Sequence, residues 1–319
     1  MILIFTRRRN KVIAIIAAIV LVLAVILYQL ADRYLIEHVQ AVVTPNTTTT
    51  TAATTQTSAT VKSSTTPATA DDWNYKDDNE TINVKKVQTG SGDDTLTYYV
   101  ADVTFNGTTN LLSAFAKNEF GTNITEDTST IAANNNAIFA INGDYYGFRN
   151  DGVTIRNGTL YRDEPARDGM AILSDGSMKT YDEVETSSDE LFAEGVTNTY
   201  SFGPILVQNG EIASDFSSLK IDKNFGNRSI QEANPRTGIG MIAPNHYVFI
   251  VVDGRSAGYS RGMTLAEFAN LFKELGATEA YNLDGGGSST MYFNGKVVNN
   301  PLGKGNERAV SDILYIPKS

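Results

Sequence analysis

A carboxylate, three glycines and three hydroxyl side chains follow one another in the segment AYNLDGGGSSTMYFNG, Ala280–Gly295. Glycines let peptide N–H groups approach a ligand closely, and successive N–H groups form concave anion sites. The carboxylate, Asp284, would repel an anion unless it acts on a neighbouring atom or pairs with an arginine. A glycosyl phosphate offers hydroxyl groups to a carboxylate and a phosphate to cations. The alternative is a tight turn without a ligand.

The residue inventory disfavours several common catalytic sites. The chain has two histidines, His38 and His246, and a Ser-His-Asp triad would have to use His246 in the turn APNH. It has no cysteine, so zinc lacks its usual ligands. No lysine follows the glycines, as a Walker A loop requires. Carboxylates, arginines, amides and exposed backbone remain as the candidate groups.

The net charge of −10 bears on the partners that the protein can have. The acidic excess falls in residues 71–319, which argues against nucleic acid as a partner. Any anionic ligand must therefore be met by a local cluster of arginines.

Two strands joined by a helix are expected to position the candidate groups. The segment YVFIVV leads into Asp253-Gly254-Arg255, and the segment AYNL leads into Asp284. Between them, TLAEFANLFKELG has a capping box at Thr264 and an apolar face, which predicts a helix. A strand–helix–strand unit lets both strands run parallel in one sheet, so that the two motifs emerge side by side at its edge.

A third apolar segment, AIFAI, ends in the same manner at Asn142-Gly143-Asp144 and is expected to join them. Elsewhere, alternating segments flank four turn pairs that are typical of β-hairpins. These pairs are Asn157-Gly158, Asp175-Gly176, Asn209-Gly210 and Asn294-Gly295. A weaker pattern predicts a helix over Asn110–Glu119. The fold class predicted is α+β: a single strand-rich domain with a mixed sheet and few helices.

The N-terminus has the pattern of a membrane anchor. Residues 1–11 are basic and are predicted to be cytoplasmic, and residues 12–31 are apolar over about the length that crosses a bilayer. A cleaved signal peptide is the alternative, although the small-residue cleavage pattern is poor. The absence of cysteine excludes both a lipid-modified cysteine and disulfides. We therefore expect a single-pass protein of the cell membrane with its catalytic domain outside.

A threonine-rich segment follows the apolar one. Of the 27 residues in Thr44–Ala70, 13 are threonine, so the segment cannot bury enough surface to fold alone. We predict a disordered linker over residues 32–70, which lifts the domain off the membrane, and a catalytic domain over residues 71–319.

Four segments, taken in order, closely resemble the phosphodiester glycosidase family. They are AINGDYY (Ala140–Tyr146), NPRTGIG (Asn234–Gly240), VVDGRSAGYSRGMTLAEFANLFKELGATEAYNLDGGGSSTM (Val251–Met291) and ERAVSDILYI (Glu307–Ile316). The resemblance covers residues 132–316, and the combination of motifs is more specific than any one of them. It implies hydrolysis of the bond between a sugar's anomeric carbon and a phosphodiester oxygen.

The resemblance also implies the site residues, which fit the chemistry above. Asp284 and Asp253 are the predicted catalytic carboxylates, with their separate roles left open. The arginines would neutralise the departing phosphate. The predicted substrate-binding residues are Asn142, Gly143, Asp144, Arg236, Arg255, Gly285, Gly286, Gly287, Ser288, Ser289 and Arg308.

We consider three functions. The leading hypothesis is an extracellular, membrane-anchored enzyme that cleaves a glycosyl phosphodiester of a cell-envelope or exopolysaccharide glycan. The alternatives are a non-catalytic polysaccharide-binding protein of envelope assembly, and a phosphodiesterase that splits the P–O bond on the other side. No cofactor and no metal site are predicted, although Asp and Asn ligands would suit Ca²⁺ or Mg²⁺.

Overall fold

The computed structural model of the chain describes residues 2–43, 68–107, 110–217, 219 and 230–318. The central part of the predicted linker, residues 44–67, lies outside the described residues. Four α-helices occur in the described ranges: α1 (Ile2–Tyr34), α2 (Thr128–Asn134), α3 (Ser188–Ala193) and α4 (Leu265–Glu274).

Strands make up most of the remaining described structure. They are β1 (His38–Val42), β2 (Thr69–Ala70), β3 (Asn74–Lys76), β4 (Glu80–Thr89), β5 (Leu96–Phe105), β6 (Leu112–Phe115), β7 (Glu119–Thr122), β8 (Ala137–Asn142), β9 (Gly152–Arg156), β10 (Thr159–Glu164), β11 (Asp168–Leu173), β12 (Met178–Asp182), β13 (Val196–Tyr200), β14 (Ile205–Gln208), β15 (Glu211–Ile212), β16 (Arg236–Ala243), β17 (His246–Val252), β18 (Glu279–Asn282), β19 (Met291–Phe293), β20 (Lys296–Val297) and β21 (Asp312–Pro317).

Two large sheets and three small ones organise these strands. A nine-stranded sheet has the order β15-β14-β18-β16-β17-β5-β4-β3-β2, and a five-stranded sheet has the order β20-β19-β8-β21-β6. Strands β12-β11-β13 form a third sheet, and β1-β7 and β10-β9 form two-stranded ladders. The strand-rich α+β class with few helices is confirmed.

The two large sheets face each other across the main core. Residues such as Ile239 and Phe249 of the nine-stranded sheet pack with Phe139 and Leu314 of the five-stranded sheet. The other face of the nine-stranded sheet is covered by α4, and the outer face of the five-stranded sheet is covered by α2. The domain is therefore layered as helix, sheet, sheet and helix, which buries the alternating apolar residues of both sheets.

The expected helix after YVFIVV is confirmed as α4. Thr264 accepts a hydrogen bond from the backbone N–H of Glu267, and the Glu267 side chain accepts one from the Thr264 N–H, as in a capping box. Phe268 and Phe272 are fully buried against the nine-stranded sheet. Gly276, with a φ of 86°, follows the helix in the left-handed conformation that glycine tolerates.

The strands on either side of α4 run in the same direction, as expected, but they are not neighbours. Strand β16 lies between β17 and β18 and is antiparallel to both. We expected a mixed sheet; the ladders between the described strands are all antiparallel. Strands β17 and β18 run in the same direction because each of them pairs antiparallel with β16, which lies between them.

All four expected hairpins are present, as β9–β10, β11–β12, β14–β15 and β19–β20. The expected helix over Asn110–Glu119 is wrong. Its apolar residues form β6, which pairs with β21, and a 3₁₀ turn follows at Ala116–Asn118. Strand pairing in the five-stranded sheet overrides the local pattern there.

The N-terminal apolar segment forms most of α1. Residues Ile13–Tyr34 are long and apolar enough to cross a membrane, and no part of this span is buried within the structure. Its length and composition fit both a membrane anchor and a signal sequence. Residues His38–Val42, which lie inside the predicted linker, form β1 and pair with β7.

One buried carboxyl makes the stability of the fold depend on pH. Glu80, at the start of β4, is fully buried, and neither carboxyl oxygen has a hydrogen-bond partner among the described residues. Burial, with a smaller effect of the Asp77 charge, raises the pKa of Glu80 to about 7. The native state therefore keeps a proton that the unfolded chain loses near pH 4.5.

We predict that Glu80→Gln removes a pH dependence of stability. In the wild-type protein the free energy of unfolding should fall as pH rises from 4.5 to about 7, because only the native state holds the proton. Urea unfolding at several pH values measures this slope. The exposed Glu185→Gln is the matched control, and equal slopes for the Glu80→Gln variant and the wild type would contradict the prediction.

Candidate active site

The register of three strands brings the predicted motifs to one sheet edge. Arg236 at the start of β16 is opposite Val252, and Gly238 is opposite Asn282. Asp253, which follows β17, and Asp284, which follows β18 after one intervening residue, therefore leave the sheet at the end where β16 begins. The antiparallel neighbour thus aligns the two strand ends, as the strand–helix–strand pattern predicts.

Asp284 lies at the centre of the candidate site. Its side chain is mostly buried, and its Oδ2 accepts a hydrogen bond from Arg308 Nη2 at 3.2 Å. Burial raises the pKa of Asp284, whereas the Arg308 charge, a hydrogen bond from Ser288 and the Arg149 charge lower it. The carboxyl group therefore has one ion-pair partner, Arg308, and the charge of Arg149 also acts on it.

The glycines after Asp284 form a 3₁₀ turn, Gly286–Ser288, between two arginines. A side-chain carbon on Gly286 would lie 3.2 Å from Arg255 Nη1, and one on Gly287 would lie 3.1 Å from Arg308 Cδ. Gly285 lies against Pro235, where an added carbon would be 2.7 Å from the carbonyl oxygen. The missing side chains thus let both guanidinium groups lie directly on the turn.

Three N–H groups of this turn donate within the protein. The Gly286 N–H donates to Pro235 O, the Ser288 N–H to Gly285 O, and the Ser289 N–H to Gly286 O, at 3.0, 3.3 and 3.4 Å. Anion recognition by these three groups is therefore reduced. Arg308 donates from Nε and Nη2 to Ser288 Oγ at 3.1 and 2.6 Å, which places a hydroxyl beside its guanidinium.

Arg255 and Arg308 reach the surface, whereas Arg236 does not. Arg255 has a φ of 58° and donates from Nε and Nη2 to Asn234 Oδ1. Arg236 is 2% exposed, and it donates to the carbonyl oxygens of Met263, Ile230 and Glu232. Burial, followed by the Arg255 charge, lowers the pKa of Arg236 to about 10. Through these hydrogen bonds the Arg236 side chain links the backbone of two separate loops.

Asp253 is enclosed by donors from neighbouring loops. Its oxygens accept from Asn299 Nδ2 at 2.8 Å, from the Asn300 N–H at 3.0 and 3.2 Å, and from the Tyr259 hydroxyl at 2.8 Å. Burial raises the pKa of Asp253, and these hydrogen bonds lower it. Asn299 Nδ2 also donates to Ser289 O, so Asp253 fixes two loops through Asn299.

Asn142 connects the two large sheets beneath the site. Its Nδ2 donates to the Asp284 carbonyl oxygen at 2.8 Å, and its Oδ1 accepts from Thr237 Oγ1 at 2.8 Å and the Thr290 N–H at 3.2 Å. The side chain is fully buried. Asn142 therefore sets the position of the Asp284 backbone. Ser289 and Thr290 are also buried, and neither hydroxyl has a partner among the described residues.

A buried charge cluster supports Asn142 and its neighbours. Asp144 Oδ2 accepts from Arg156 Nη2 at 3.2 Å, and Asp312 Oδ2 accepts from Arg156 Nε and Nη2 at 2.9 and 2.7 Å. Gly143 lies against this cluster, since an added carbon would be 2.1 Å from Asp312 Oδ1. Burial raises the pKa of Asp312, and Arg156 opposes that shift.

Sequence reasoning missed Arg156, Asp312, Asn299 and Arg149. Asp312 lies within ERAVSDILYI, and Arg156 directly precedes a hairpin turn, so a search for charged residues next to motifs would have found both. Arg149 is 7% exposed and lies over the rings of Tyr145 and Phe202 at 5.3 and 4.9 Å. The Arg149 charge lowers the pKa of Asp284. The two residues are far apart in the sequence, so the motifs do not indicate this interaction.

We predict that Asp253→Asn loosens the loops around the site. An asparagine replaces one acceptor oxygen with a donor that faces other donors, so stability should fall by about 2–3 kcal/mol. Amide hydrogen exchange at residues 299–303 should increase, and Asp93→Asn, at an exposed site, should change neither quantity. Loss of activity with unchanged exchange would instead favour a direct catalytic role for Asp253.

Comparison with known proteins places this arrangement in a family. The family model for phosphodiester glycosidase matches residues 135–317, more than half of the chain. The chain is 34% identical over 206 residues to the SPbeta prophage-derived uncharacterized protein YomE of Bacillus subtilis, covering 62% of this chain and 30% of that protein. It is 31% identical over 102 residues to N-acetylglucosamine-1-phosphodiester alpha-N-acetylglucosaminidase of Bos taurus, covering 30% of this chain and 19% of that enzyme. The matches thus span less than a third of either relative.

Two solved structures share the fold. One is the zebrafish N-acetylglucosamine-1-phosphodiester alpha-N-acetylglucosaminidase catalytic domain auto-inhibited by its pro-peptide, with a TM-score of 0.58 and 22% identity over 75% of this chain and 84% of that one. The other is a hypothetical protein from Synechocystis, with a TM-score of 0.56 and 15% identity over 74% of this chain and 62% of that one. With its family model matched over most of the folded domain, the chain belongs to the phosphodiester glycosidase family.

Proposed function

We propose that this protein hydrolyses a glycosyl phosphodiester, releasing free sugar and a phosphomonoester. The observation that carries the proposal is the contact of Asp284 with Arg308 beside the glycine turn, with Arg255 on the other side of that turn. A phosphate needs cations, and an anomeric carbon that becomes positive needs a carboxylate. The site offers both within one turn of backbone.

In this proposal the residues have separate roles. Asp284, whose charged form is favoured by Arg308, stabilises the oxocarbenium-like carbon or activates water. Arg308, Arg255 and Ser288 bind the phosphate, which leaves easily once its charge is neutralised. Asn142, Asp144, Arg236 and Asp253 hold the loops in place. This assignment moves four of the residues that we predicted to touch substrate into supporting positions.

We further propose that the apolar helix anchors the protein in the cell membrane with its catalytic domain outside. The basic N-terminus and the exposed apolar span Ile13–Tyr34 support this orientation. The substrate would then be a cell-envelope polymer or exopolysaccharide that contains glycosyl phosphodiester bonds.

Product analysis tests the reaction directly. We expect the full-length chain in detergent to release free N-acetylglucosamine from a methyl diester of N-acetylglucosamine 1-phosphate. Asp284→Asn should lower kcat by at least about 100-fold, the loss typical of a charge-stabilising group. Sugar phosphate as product would indicate the phosphodiesterase, and binding of phosphorylated polysaccharide without any cleavage would indicate the non-catalytic protein.

The pH dependence of activity should follow the Asp284–Arg308 contact. Because Arg308 lowers the pKa of Asp284, we expect Arg308→Gln to move the acid limb of kcat/KM to higher pH, along with a loss of at least about tenfold in activity. Arg255→Gln is the matched control and should raise KM without moving this limb. The assignment fails if the two variants shift the limb equally.

A further inference from the structure

The strand that follows α1 is part of the folded domain. Strand β1 pairs with β7 from His38 opposite Thr122 to Val42 opposite Glu119. The Val43 N–H continues the ladder by donating to Asn118 O at 2.8 Å. We call residues 38–43 the docking strand. It adds main-chain hydrogen bonds to an edge that β7 would otherwise leave open.

Gly121 is shaped for this contact. A side-chain carbon at Gly121 would lie 2.0 Å from the carbonyl oxygen of His38 and 2.9 Å from Ile124 Cδ1. Because no real side chain tolerates that distance, the backbone of the docking strand can approach only a glycine. The glycine at position 121 therefore allows the ladder between the docking strand and β7 to form.

The docking strand also contributes apolar contacts. Ala41 and Val43 pack against a buried cluster that contains Phe115, Phe120 and Tyr146. The rings of Phe120 and Tyr146 stack with their centroids 5.1 Å apart. Burial of the two aliphatic side chains on these rings adds a hydrophobic contribution to the backbone pairing.

Asn123 ties the end of α1 to the same region. Its Nδ2 donates to the carbonyl oxygens of Asp32 and Ile36 at 3.2 and 2.8 Å. Helix α1 ends at Tyr34, and the docking strand begins at His38, so the connection spans at most about 14 Å. The domain is thus attached within a few residues of the apolar span, ahead of the threonine-rich segment.

We propose that the docking strand holds the catalytic domain directly on the membrane, so that the enzyme acts on glycosyl phosphodiesters carried close to the bilayer. This inference rests on the proposed function and on the membrane anchor. A domain of about 250 residues is about 45 Å across. This diameter is the largest distance from the bilayer at which the candidate site of a docked domain can lie. The threonine-rich linker alone would extend that reach by up to about 80 Å.

The docking strand is also connected to the candidate active site. The Asn123 N–H donates to Gly147 O at 2.9 Å, and Tyr146 lies in the aromatic cluster that the strand covers. The same loop carries Asp144, which pairs with Arg156, and Arg149, whose charge lowers the pKa of Asp284. The loop that follows β8 therefore links the docking strand to the site, and a docked domain keeps the site in a fixed relation to the bilayer.

Cysteine cross-linking in the full-length, cysteine-free chain tests the docking. In vesicles, Val42→Cys/Glu119→Cys should form a disulfide nearly completely, because these residues are directly opposite in the ladder. Val42→Cys/Lys273→Cys is the matched control, since Lys273 is exposed on α4 in the opposite outer layer, and it should not cross-link. Cross-linking of the two pairs to the same extent would overturn the proposal.

Two probes in the same vesicles test the reach. The near probe is N-acetylglucosamine 1-phosphate esterified directly to a phospholipid, and the far probe carries a polyethylene glycol spacer longer than about 80 Å. The disulfide-locked enzyme should cleave the near probe as fast as the reduced enzyme does, and at least about tenfold faster than the far probe.

The other outcomes distinguish a failure of the docking from a failure of the proposed function or of its substrate. Loss of near-probe cleavage that returns on reduction, or equal cleavage of both probes, would overturn the membrane-proximal substrate. If the disulfide forms and neither probe is cleaved in either redox state, the docking stands, and the proposed function and its substrate fail. If the probes are cleaved but no disulfide forms, the proposed function stands and the docking fails.

Discussion

The site depends on the placement of β16 between two strands of the same direction. Since β16 is antiparallel to both β17 and β18, it forces their last residues to one end of the nine-stranded sheet. Helix α4 supplies the length needed to return the chain across the sheet. Asn142 then joins this end to the five-stranded sheet by binding the backbone of Asp284 and Thr290. A shift in this register would separate the carboxylate from the arginines that give it its charge environment.

The arginines divide into two classes that look alike in a sequence. Arg156 and Arg236 are almost fully buried, the first between carboxylates and the second among carbonyl oxygens. Arg308 has a half-exposed side chain and lies on glycine backbone. Burial costs a guanidinium its hydration, so the buried pair require complete sets of partners, whereas the exposed ones can exchange partners for a ligand. Only burial separates the two classes, and burial is decided by the whole fold.

Much of the architecture follows from local sequence. The turn pairs fix four hairpins: both residues of the three Asn-Gly pairs, and the glycine of Asp175-Gly176, take a positive φ. The capping box fixes the start of α4. The motifs also predict that Asp284, Arg255 and Arg308 lie close together, and all three lie around the glycine turn. The sequence does not distinguish β6 from a helix, because its pairing with β21 joins residues about 200 positions apart in the chain. The enclosure of Asp253 by Asn299 and Asn300 is equally non-local.

The attachment of the chain on both sides of the threonine-rich segment changes what that segment can tolerate. Val43 is bonded to Asn118 and Thr69 pairs in the nine-stranded sheet, so both ends belong to the folded domain. The entropy of closing a loop grows only with the logarithm of its length, and each doubling costs about 0.6 kcal/mol. Insertions and deletions there should therefore be nearly neutral for folding. They would also leave the distance between α1 and the candidate site unchanged, so this segment can diverge in length while the folded domain keeps its position relative to α1.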